Sequence, residues 1–142
     1  MQALQSHPKI ITLEQYEALP EDVRAEVFEG IVYNMASPSE IHQTISTELT
    51  TIFNNYIKSK KGSCRVLHAP FDVKLNDNPL TIVQPDLMII CDRDKLDGKR
   101  CNGAPDFIIE ITSPSNADST VKVNIYDDLL INFADIAGLL SN

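Results

Sequence analysis

Two carboxylates stand where strands are expected. Asp86 lies in VQPDLMII (residues 83–90) and Glu110 in PDFIIEITSPS (residues 105–115). Side chains alternate along a strand, so Phe107, Ile109 and Ile111 point one way and Asp106, Ile108, Glu110 and Thr112 the other. Glutamate is a poor strand former and costly to bury unpaired, which raises the question of its use. The polar stretch between them, DRDKLDGKRCNGA (residues 92–104), is long enough to return the chain and set both carboxylates on adjacent strands. Such a pair of hard oxygen ligands suits Mg²⁺ or Mn²⁺. A plainer reading stays open: Asp86 caps a turn after Pro85, and Glu110 faces water on a half-exposed strand.

Other residues are weighed the same way. Glu26, on an expected early strand, is a third acidic candidate or a surface residue. His42 sits one turn into a long helix, where a histidine is commonly structural and one alone cannot make a zinc site. Lys122 is expected on a helix just after the Glu110 strand, from which it could reach back to the acids or simply be solvated. His7 and His68 have no motif around them. Cys64, Cys91 and Cys101 show no C-x-x-C spacing, so neither a zinc site nor a disulfide framework is expected, and Cys91 is read as a small buried hydrophobe. Asp92, Asp94 and Asp97 miss the calcium-loop spacing and read as a solvated turn. No phosphate loop, dinucleotide fingerprint or nucleophile elbow is present, which counts against nucleotide hydrolysis, dinucleotide redox chemistry and serine hydrolysis.

The elements that must carry these residues follow from periodicity. Thr12 and Gln15 form a capping box for a short helix closed by Pro20. RAEVFEGIVYNMA (residues 24–36) reads as a hairpin about Glu29-Gly30. Ile41, Ile45, Leu49, Ile52, Phe53 and Tyr56 recur at helical spacing behind a Ser37 or Ser39 cap, and Gly62 stops that helix. Three or four strands follow, and residues 116–140 have helical spacing again. This order indicates an α/β or α+β class, with helices against a mixed sheet, in one domain spanning 1–142. No apolar run approaches the roughly 18–20 residues of a membrane span. The sparse cysteines and the absence of a signal peptide suggest the cytoplasm. A net charge of −8 counts against bulk electrostatic gripping of nucleic acid, but not against phosphate chemistry through a bound cation.

VFEG, SPSEIHQTI, APFDVKL, VQPDLMII, GAPDFIIEITSPS and KVNIY occur in this order over roughly residues 12–126. Together they resemble the Uma-two family of restriction-endonuclease-like proteins, which is similar to the PD-(D/E)XK nuclease superfamily. The resemblance implies a restriction-endonuclease-like mixed sheet flanked by helices, and Mg²⁺- or Mn²⁺-dependent hydrolysis of DNA phosphodiester bonds. It implies that Asp86, Glu110 and the Ile111 backbone carbonyl hold the ion and that Glu26 completes the acidic site. His42 matches a family histidine with no stated role. Where the superfamily pattern has a lysine after the glutamate, this chain has Thr112, and Lys122 looks like the relocated one.

The resemblance also departs from the family. From about residue 127 the ending is atypical and is expected to be a frameshifted, truncated form of the family's next strand. A strand edge so exposed predicts a homo-oligomer, with LLINFADIAGLL as a contact. Basic candidates for meeting DNA are Lys58, Lys60, Lys61 and Arg65, or the strip from Arg93 to Arg100. The alternative function is a catalytically degenerate nuclease fold that serves interaction or oligomerisation.

Overall fold

The computed structural model describes residues 8–112 and the segments 120–122 and 130–132. Helix α1 (Leu13–Glu17) begins with the expected capping box, the Thr12 and Gln15 side chains each accepting from the other's backbone N–H. Strands β1 (Ala25–Phe28) and β2 (Ile31–Asn34) then form the hairpin in full antiparallel register. Its two-residue loop, Glu29-Gly30, has positive φ at both positions, the turn whose twist suits a hairpin. A Cβ on Gly30 would collide with Ile10, so glycine is required there twice over.

Helix α2 (Glu40–Ser59) starts at Ser39, whose hydroxyl accepts from the His42 N–H. Its buried residues are Ile45, Leu49, Phe53 and Ile57, a strict four-residue stripe. Ile41, expected in that stripe, is 51% exposed, and Ile57 extends the stripe at the other end.

Strands β3 (Arg65–His68), β4 (Val73–Asp77), β5 (Leu80–Val83), β6 (Leu87–Ile90), β7 (Cys101–Asn102) and β8 (Phe107–Ile109) complete two sheets. One runs β2-β1-β5-β4-β7, antiparallel except for β4 against β7; the other runs β3-β6-β8, antiparallel throughout. All four residues of β6 are buried, which explains its unbroken apolar run. Leu87 and Ile89 pack with the α2 stripe, while Met88 and Ile90 pack with Val73 and Cys101 in a second cluster. Phe107, Ile109 and Ile111 pack against the α2 cluster, as their alternation predicts. Only Gln84-Pro85-Asp86 separates β5 from β6, so the chain passes from one sheet to the other across that tripeptide.

Two expectations are corrected here. Residues 120–122 and 130–132, expected to be helical, form a two-stranded antiparallel ladder, β9 (Thr120–Lys122) and β10 (Leu130–Asn132), pairing Lys122 with Leu130. Thr120 and Val121 are β-branched, and short apolar runs fit either period. The rest of that expected helix, and most of the LLINFADIAGLL segment, lies outside the described residues. Second, Cys64 and Cys91 form a disulfide, with Cα atoms 4.0 Å apart. They flank the Arg65–Ile90 pair of β3 and β6, so the cross-strand register brings together two cysteines that no local spacing links.

Candidate active site

The acidic residues meet where β6 begins and β8 ends. In that ladder Leu87 pairs with Ile109, so one step further Asp86 stands opposite Glu110. Asp86 is held on three sides. Its Oδ1 lies 3.1 Å from His42 Nε2, and its Oδ2 accepts from the Ile111 N–H at 2.7 Å. Its carbonyl accepts from the Ala69 N–H at 3.0 Å. Glu26, on β1, is half-buried, and its Oε2 accepts from the Gln84 N–H at 2.7 Å.

Glu110 is exposed as a residue, yet its carboxyl is pushed up to about 7. Desolvation is the largest cause, followed by the Asp86 charge, a hydrogen bond to the Asp86 side chain and the Glu26 charge; the Asp86 backbone N–H partly offsets them. Three carboxylates therefore influence one another at the sheet junction. His42, which meets Asp86 through Nε2, has its Nδ1 3.1 Å from Gln43 Oε1.

Of the residues expected from sequence, the structure brings together Glu26, Asp86, Glu110, His42 and the Ile111 backbone. Thr112, two residues past Glu110, lies beyond the end of β8 and is exposed. Lys122 lies on β9 rather than on a helix, and its side chain is outside the described residues. The Arg93–Arg100 strip is only partly free to meet a ligand: Arg100 is buried and bonds Glu17 at 2.8 Å, Lys99 bonds the same carboxylate at 3.1 Å, and Lys95 donates to the Ala104 carbonyl. Gln84, given no part by sequence reasoning, lies in the site's wall. The one available signal was a polar residue inside an apolar run. An open polar groove of about 190 Å³ begins at Gln43, beside His42, and is lined by Ser46, Thr47, Thr50, Thr51 and His68.

Among the described residues, no three His, Cys, Asp or Glu side chains form a ready metal cage. The donor set still fits a hard divalent cation of the Mg²⁺ kind, which is commonly held by one or two carboxylates and keeps water or substrate oxygens for the rest. The raised Glu110 reflects desolvation first and the neighbouring Asp86 and Glu26 charges after it.

Comparison with known proteins bears on the fold and the family. A solved structure from Anabaena variabilis ATCC 29413, described as a putative nuclease belonging to DUF820, superposes with a TM-score of 0.57 at 24% identity, covering 73% of this chain and 59% of that one. The fold is thus restriction-endonuclease-like, a mixed α+β arrangement. The family model described as "Putative restriction endonuclease", Uma2, matches residues 13–131, and the chain belongs to that family. An uncharacterized protein of Synechocystis sp. (strain ATCC 27184 / PCC 6803 / Kazusa), slr1290, is 28% identical over 90 residues, 63% of this chain and 46% of the relative. The chain thus spans about half the length of that curated relative.

Proposed function

We propose that the chain is a nuclease that hydrolyses DNA phosphodiester bonds with Mg²⁺ or Mn²⁺. The observation that carries the proposal is the facing pair Asp86 and Glu110, with Glu26 acting on the same carboxyl. Asp86, Glu110 and the Ile111 carbonyl would hold the ion, which when bound supplies Lewis-acid polarisation of the phosphoryl group and a more acidic water.

The chain's own residues do the rest. His42 and the Ile111 N–H orient the Asp86 carboxylate from two directions, so that it does not swing away when its charge is used. Glu110 holds a proton near neutral pH and must release it before serving as an anionic ligand. Glu26, fixed by the Gln84 N–H, keeps negative potential on the cluster. Lys122 is proposed to position the attacking water, in place of the lysine that Thr112 replaces. The groove from Gln43 to His68, whose lining holds no carboxylate, offers the substrate strand a path without carboxylate repulsion. No helix among the described residues is long and apolar enough to cross a membrane. The proposed location is the cytoplasm, where reducing thiol pools would favour Cys64 and Cys91 as a dithiol. Assembly into a homo-oligomer is part of the same proposal.

One observation favours a second reading, a degenerate fold kept for interaction: Thr112 where a catalytic lysine is expected. Supercoiled-plasmid nicking separates the two. With Mg²⁺ the wild type should nick, and Asp86→Ala and Glu110→Ala should each lose about a hundredfold or more. Equal nicking by all three proteins would count against the site, and no nicking with any divalent ion would favour the second reading.

A further inference from the structure

Gln84 sits at the crossing between the two sheets and is buried, with every polar group of its side chain engaged. Its Oε1 accepts from Arg24 Nε at 2.9 Å, and its Nε2 donates to Asp72 Oδ1 at 2.9 Å. Asp72 is gripped in turn by the Tyr16 hydroxyl, 2.9 Å from each carboxylate oxygen. The Tyr16 hydroxyl is pushed well above its ordinary range by burial and by Asp72, so it stays a donor at any working pH. The backbone N–H of the same Gln84 is the donor to Glu26. One residue therefore ties together α1, the approach to β1, β1 itself and the loop before β4. Pro85 follows, with fixed φ and no donor, and then Asp86. Whatever fixes Gln84 fixes the direction from which the Asp86 carboxylate enters the site.

We propose that the chain Tyr16–Asp72–Gln84–Arg24 is the positioning element of the acidic site, locking the sheet-crossing tripeptide so that Asp86 meets the Ile111 N–H, His42 and Glu110. Its functional consequence rests on the nuclease reading above; its geometric content does not. Buried amides of this kind have one arrangement that satisfies both ends, which is how a network specifies a position rather than merely adding stability. Residues that orient ligand carboxylates commonly change metal affinity or activity by about 10–100-fold when removed.

Two backbone amides report the geometry without any metal. The Ile111 N–H is bonded to Asp86 Oδ2, and the Gln84 N–H to Glu26 Oε2. In Gln84→Leu, hydrogen exchange at both amides should quicken about tenfold or more, while Phe53 and Ile57 in α2 keep their wild-type rates. Asp72→Asn keeps the shape and one acceptor oxygen, so it should show a smaller change in the same direction; it is read alone if Gln84→Leu does not fold. In parallel, Mg²⁺-dependent nicking by Gln84→Leu should fall about 10–100-fold at unchanged KM for DNA. An unchanged Ile111 rate, or a rise matched by the α2 amides, would overturn the proposal. A selective Ile111 response in a protein that never nicks DNA would uphold the positioning role and remove the nuclease reading instead.

Discussion

Glu110 concentrates the chemistry of the site in one proton. Its carboxyl is raised to about 7, first by desolvation and then by Asp86, so the native state holds that proton more tightly than the unfolded chain does. The resulting stabilisation is complete below the ordinary glutamate range and is lost as pH rises through about 7. Metal-free protein should therefore lose stability between pH 5 and pH 8, and Glu110→Gln, which cannot ionise, should flatten that decline. Urea midpoints across this range check it; parallel slopes for the two proteins would contradict it. Saturating Mg²⁺ should reverse the wild-type trend, since the ion favours the ionised form. At this scale the carboxylates were legible because charge inside apolar strands is costly and so conspicuous. His42 on Asp86 and Gln84 on Glu26 were not, because both contacts depend on how a strand end meets a distant element, and no spacing records that.

Helix α2 links the core to the site through its first turn. Ser39 caps it by accepting from the His42 N–H, and the His42 side chain then reaches Asp86. Ser39→Ala should cost about 1 kcal/mol, read as a lower urea midpoint, and should weaken the His42–Asp86 contact by fraying the turn that carries it. An unchanged midpoint would mean that the cap is not used. The helix was readable because Ile45, Leu49 and Phe53 repeat every four residues, whereas periodicity does not encode where the buried stripe begins, and Ile41 is exposed. The hairpin was readable for the same local reason, its turn chemistry being complete in Glu29-Gly30. The segment around Lys122 was misread because spacing of three to four apolar residues also accommodates a pair of short strands joined by a polar stretch.

For the whole molecule, the tripeptide crossing from β5 to β6, with a long helix packed on the β3-β6-β8 sheet, brings Glu26, Asp86 and Glu110 to one junction. The Cys64–Cys91 bond closes a further loop across β3 and β6, with a sequence separation of 27. Loops in this range are stabilised by about 3–4 kcal/mol on the chain-entropy account. Protein isolated without reductant should show one reactive thiol after denaturation, from Cys101, and reduction should lower its stability by an amount of that order. Three reactive thiols would contradict the pairing. The chain's net charge of −8, with Lys99 and Arg100 both engaged by Glu17, leaves cation binding at the acidic junction as the central claim. Calorimetric titration of the wild type with Mn²⁺ near pH 6.5 tests it most directly. The account predicts one saturable site that releases protons as Glu110 ionises and that is lost in Asp86→Ala and in Glu110→Ala. Binding of equal strength in both variants, or none in the wild type, would contradict it.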